Sequence, residues 1–107
     1  MRKQLRNFAK AQEEILKDND SKLYWSFSSR CYLQGRIAKE LKELKKAKTT
    51  LDMQKECIDI ANFAMMLFDN LEKEAIKSGS NGFLKSRGYE LKSFAASPSF
   101  NNPRNWR

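Results

Sequence analysis

From Lys3 to Lys17, apolar side chains return at helical intervals: Leu5, Phe8, Ala9, Ile15 and Leu16, with Gln12 among them, fall along one stripe. Such a stripe predicts an amphipathic helix that buries one face. The pattern stops at Asp18-Asn19-Asp20-Ser21, a cluster of turn and cap formers. An aromatic-rich connector follows, Leu23-Tyr24-Trp25-Ser26-Phe27, and either Ser28 or Ser29 can cap the next helix. Leu33, Ile37, Leu41 and Leu44 then share a face, which predicts a second helix from about residue 30 to about residue 47. Thr49 with Asp52 three residues later resembles a capping box. It opens a third helix, from about residue 51 to about residue 76, apolar at Met53, Cys57, Ile60, Ala61, Ala64, Leu67, Phe68 and Leu71.

Glycine (4) and proline (2) are scarce and mostly follow residue 78, so nothing interrupts these helices. Ser78-Gly79-Ser80-Asn81-Gly82 reads as a stop, and Phe83 to Phe94 as one more short helix broken at Gly88. The remainder is a basic Ser/Asn/Pro-rich tail that can dock through Phe100 and Trp106. The expected fold is all-α: one helical domain over 1–77, then a short helix and irregular tail over 78–107.

Charge and residue inventory narrow the chemistry. There is no histidine and no CxxC pair, which excludes a typical zinc site and histidine-based acid–base catalysis. Cys31 and Cys57 read as buried small residues in a reducing compartment. The N-terminus lacks an apolar signal region, and the longest apolar stretch, Ile58 to Phe68, is too short and polar to span a membrane. A cytoplasmic protein is expected. The net charge of +8 has two readings, a solvated surface or an electropositive one that attracts nucleotide or nucleic acid.

Two acidic pairs stand out, Glu40/Glu43 and Glu56/Asp59, each presenting two carboxylates on one helical face by i, i+3 spacing. If the second and third helices form an antiparallel hairpin about Thr49 and Thr50, facing residues have numbers that total 99. Glu43 then faces Glu56 and Glu40 faces Asp59, while Leu41 meets Ile58, Ile37 meets Asn62 and Leu33 meets Met66. Adjacent acidic layers lie about 4.5 Å apart along the axis, three residues at about 1.5 Å each. Carboxylates held so close repel unless compensated. A set of oxygen ligands without histidine or thiolate favours Mg²⁺ or Mn²⁺. The alternative is a solvated acidic stripe paired with Lys39, Lys42, Lys45, Lys46 and Lys55.

Glu40-x-x-Glu43, twelve intervening residues and Glu56-x-x-Asp59 together resemble the signature of the all-α nucleotide pyrophosphatases, the superfamily of MazG-like proteins, dimeric dUTPases and dCTP pyrophosphatases. The stretches Leu33-Gln34-Gly35-Arg36, Lys39 to Leu44 and Glu56 to Leu67 look like the MazG-like form, and the resemblance spans about residues 23 to 72. It implies that Glu40, Glu43, Glu56 and Asp59 ligate the metal and that Asn62 lies near the nucleotide. It also implies that Trp25 or Tyr24 stacks on the base, for which core packing is the alternative. Lys39 stands where many members carry a further glutamate. Lys39, Arg36 or Lys55 would bind phosphates.

The expected activity is hydrolysis of a nucleoside triphosphate to monophosphate and pyrophosphate. A family member without catalysis, acting as a binding or inhibitory protein, and a basic nucleic-acid-binding module are the alternatives. The third helix is also apolar over more than one face, from Ile58 to Phe68. This predicts a four-helix core completed by a homodimer or a dimer of dimers. Folding back of residues 83–106 within one chain would serve the same purpose.

Overall fold

The computed structural model describes residues 1–19 and 25–89. These form four helices, with no strand among them: α1 (Lys3–Asp18), α2 (Arg30–Lys46), α3 (Thr50–Lys77) and α4 (Phe83–Ser86). A 3₁₀ turn, Trp25–Phe27, precedes α2. The expected helical hairpin of α2 and α3 is present, and α1 packs along α3.

Each boundary has a local cause. Asn19 closes α1: its side chain donates to the Ile15 carbonyl (3.0 Å) and its backbone N–H to that of Leu16 (3.1 Å). Ser29 caps α2 by accepting from the Tyr32 N–H at 3.0 Å, and Thr49 caps α3 by accepting from that of Asp52 at 3.0 Å. The long α3 ends where Gly79 takes φ +78° and lets the Ser80 and Gly79 N–H groups return to the Ala75 and Ile76 carbonyls.

Among the described residues the buried apolar core is small: Trp25, Leu33 and Met66, flanked by half-buried Leu16, Phe63, Met65 and Leu67. Leu33 and Met66 meet as the register requires. Trp25 is fixed from α3, donating its indole N–H to Asp69 Oδ2 at 2.9 Å, while Asn70 Nδ2 donates to the Trp25 and Ser28 carbonyls. Beyond the hairpin, Glu72 is buried and accepts from the Leu84 N–H at 3.0 Å, and Phe83 meets Phe68 edge-on. The start of α4, Phe83 and Leu84, therefore lies against α3. The expected docking of Phe100 and Trp106 lies outside the described residues.

Both cysteines are exposed, contrary to the expectation that they are buried. The reason is geometric. The neighbours of α3 cover only part of its circumference, so Cys57 lies on uncovered surface, as do Leu51, Phe68, Leu71 and Ile76 in part. Cys31 sits at the outer start of α2. Among the described residues, no helix is long and apolar enough to cross a membrane.

Candidate metal centre and adjoining cleft

The hairpin brings Glu40, Glu56 and Asp59 together, with one carboxylate oxygen of each within 4.8 Å of the others. Glu40 comes from α2 and is buried; Glu56 and Asp59 come from α3 and are half-buried. Glu43 is exposed and stands outside this triad, though its charge still reaches Glu56. Three residues turn a helix about 300°, so an i, i+3 partner sits about 60° off the first residue's line. On α2 only Glu40 joins the triad, whereas on α3 both Glu56 and Asp59, with the same offset between them, reach Glu40.

The triad is under electrostatic stress. Glu56 is pushed up from 4.5 to about 7 by its hydrogen bond to Glu40, then by burial, then by the charges of Glu40, Asp59 and Glu43. Asp59 is raised by burial and by Glu40, against a lowering influence from Arg36. Glu56 Oε1 is buried without a hydrogen-bond partner. A divalent cation fits this environment: three hard oxygen donors on two rigid helices, one of them orphaned, and proximity that favours a bound proton over full ionisation.

These shifts set the sign of a pH dependence. A carboxyl whose pKa is raised by folding stabilises the fold fully below its unfolded value, and that contribution is lost as pH rises through the folded value. The melting temperature of metal-free protein should therefore fall between about pH 4.5 and about pH 7, the interval set by Glu56. Saturating Mg²⁺ should flatten that fall. Circular dichroism melts with and without Mg²⁺ check both statements, and a metal-free melting temperature that rises across this interval would contradict the assignment.

Beside the triad lies an open cleft of about 330 Å³ between α1 and the hairpin. Arg36, Glu40, Asp59 and Asn62 line its polar side, and Ile15, Tyr32 and Phe63 contribute apolar surface. Its volume is at the small end for sites that take small molecules. Arg36 Nη2 donates to Glu40 Oε2 at 3.0 Å, and the guanidinium lies over the Phe63 ring, 5.0 Å from its centroid. Among the described residues this is the ion pair at the cluster. The lysines that a solvated stripe requires take no part in it.

The other sequence-predicted residues divide sharply. Asn62 is buried on the cleft wall, and its Oδ1 accepts from Gln12 Nε2 at 3.0 Å, which ties the site to α1. Lys39 and Lys55 are exposed and do not line the cleft. Trp25 is core, held by Asp69, and does not line the cleft either. Tyr24 lies outside the described residues. Sequence reasoning missed the α1 contribution, Ile15 and Asn19, and the two ring-bearing residues Tyr32 and Phe63. Phe63 was within reach, since its number and that of Arg36 total 99; the α1 residues carry no local signal. Comparison with known family models, curated proteins and solved structures finds no match.

Proposed function

We propose that this chain is a divalent-metal-dependent nucleoside triphosphate pyrophosphohydrolase. The observation that carries the reading is the convergence of Glu40, Glu56 and Asp59 from two helices at the edge of a cleft that also contains an arginine. The resemblance over residues 23–72 points the same way. Glu40 and Asp59 would hold Mg²⁺ or Mn²⁺, with Glu56 completing the donor set. When bound, such an ion neutralises phosphate charge and lowers the pKa of water.

The remaining steps belong to the chain. Arg36 orients phosphate oxygens, and Asn62, anchored by Gln12, shapes the wall where the nucleoside lies. Water oxygen bonds to the α-phosphorus, the bond from that phosphorus to the α–β bridging oxygen breaks, and pyrophosphate leaves. Glu56, whose Oε1 is buried and has no hydrogen-bond partner within the protein, is the carboxylate that would accept the water's proton. The test is pyrophosphate release across standard and modified nucleoside triphosphates with Mg²⁺ or Mn²⁺. No release from any of them, under conditions where the metal binds, would overturn the proposal.

Metal binding itself has a separate readout. Mg²⁺ at about one hundred times its Kd should stabilise the fold by about 2.7 kcal/mol, seen as a raised melting temperature. Asp59→Asn should remove most of that gain. An undiminished shift in the variant would place the ion elsewhere.

A second reading has one observation in its favour. Lys39, Lys42, Lys45, Lys46, Lys48 and Lys55 are all exposed around the hairpin end, a surface suited to a polyanion such as nucleic acid. Binding through it would be steeply salt-sensitive and indifferent to Mg²⁺.

The proposal includes a homodimer or dimer of dimers. Exposed Leu51, Phe68, Leu71 and Ile76 leave α3 with apolar surface that a second copy would cover. Sedimentation at micromolar concentration should give at least twice the 12.5 kDa chain mass. A monomer would refute this part alone.

A further inference from the structure

Arg36 is a cation already lodged in the acidic cluster. It lies one turn before Glu40 on α2 and spends one Nη2 bond on Glu40 Oε2. Its Nε is buried and has no partner. A guanidinium offers five N–H donors, and a buried donor left unpaired is unfavourable. The pairing with Glu40 is thus an incomplete one. Phe63 supports the guanidinium face, which favours keeping the charge at this spot whether or not Glu40 is available. Of the three cations singled out from the sequence, Arg36 alone lines the cleft.

We propose that Arg36 is an exchangeable counter-ion: it neutralises Glu40 in the metal-free protein, and when a divalent cation takes Glu40 it turns its guanidinium to a phosphate-type oxyanion in the cleft. The inference rests on the metal-site reading above. Arg36 and a divalent cation compete for the same carboxylate. Releasing Arg36 leaves a planar donor fork with unmet hydrogen bonds facing a cavity, the arrangement that recognises phosphate oxygens in pairs. Cation and anion should therefore bind cooperatively, and the coupling must be reciprocal. The metal-free cleft is kept from taking up anions on its own, because its arginine is engaged.

The probes are Mg²⁺ and sulfate, read by calorimetry on the full chain at about pH 8, above the range in which Glu56 titrates. In wild type, replacing chloride by sulfate at matched ionic strength should tighten Mg²⁺ binding at least about fivefold. Arg36→Gln should bind Mg²⁺ more tightly than wild type in chloride, since the competing cation is gone, and should not respond to sulfate. The wild-type comparison stands even if the variant fails to fold. Mg²⁺ binding that is indifferent to sulfate in wild type, or weaker in Arg36→Gln, would overturn the exchange and leave the metal site intact. Failure of Mg²⁺ and Mn²⁺ to bind wild type in either buffer would overturn both.

Discussion

Glu40→Gln should lower the rate of pyrophosphate release by at least about a hundredfold, the effect of losing about 3 kcal/mol of transition-state stabilisation. The substitution keeps shape and removes one charge. Glu40 is the only triad member on α2, and it is the buried one. It faces both α3 carboxylates and holds Arg36, so the amide weakens the ion site and the orientation of the arginine together. Glu43→Gln is the matched control, with the same chemistry one turn further along the same helix, on a side chain that is exposed and outside the triad. Its loss should be clearly the smaller of the two, because Glu43 reaches the triad only through its charge on Glu56. Steady-state pyrophosphate assays on both variants, with circular dichroism to confirm folding, provide the check. Equal losses in the two would show that the triad is not the centre of the chemistry.

Leu33→Ala should destabilise the fold by about 2–5 kcal/mol, the range for deleting a buried leucine side chain. The upper half of that range is expected. Leu33 is 1 % exposed and is the most deeply buried of the three buried apolar residues among those described, so its removal opens a hole between α2, α3 and the 3₁₀ turn that carries Trp25. A domain of this size has about 5–15 kcal/mol in all. Denaturant midpoints measured with and without Mg²⁺ give the number. A cost under about 1 kcal/mol would mean that the core lies elsewhere, for instance in contacts between copies.

Much of the hairpin was legible because its determinants are local. Ser29 and Thr49 start helices with their own side chains, and Gly79 ends one with a backbone conformation that other residues resist. With only Ala47 to Thr49 between α2 and α3, the turn leaves little freedom in register. Leu33 meets Met66 and Arg36 meets Phe63 as the total of 99 requires. The rule also sets Glu43 opposite Glu56; the charge of Glu43 does reach Glu56, while its exposed carboxylate stands outside the triad.

What escaped the sequence depends on how α1 and the connector dock. Gln12 to Asn62, Trp25 to Asp69 and Asn70 to Ser28 join residues more than forty positions apart. No periodicity or spacing encodes such pairs, and Trp25 in a connector looks the same whether it stacks on a ligand or fills a core. The cysteines were misjudged for a related reason: average burial of a residue type says little on a helix whose neighbours cover only part of it.

The tight turn between α2 and α3 also bears on how the molecule reaches this state. The carboxylates that converge are separated by at most nineteen residues, and the loop that brings them together is nearly as short as a helical connection can be. Closing it costs little chain entropy, so the hairpin is the part of the topology with the lowest contact order. The contacts to α1 and the connector close much longer loops and belong to a later stage. The acidic centre is therefore expected to form with the hairpin, before the cleft beside it has its second wall. Repulsion among Glu40, Glu56 and Asp59 should then act on the folding barrier, and added Mg²⁺ should accelerate refolding more than it slows unfolding, a difference that stopped-flow kinetics with and without the ion would read.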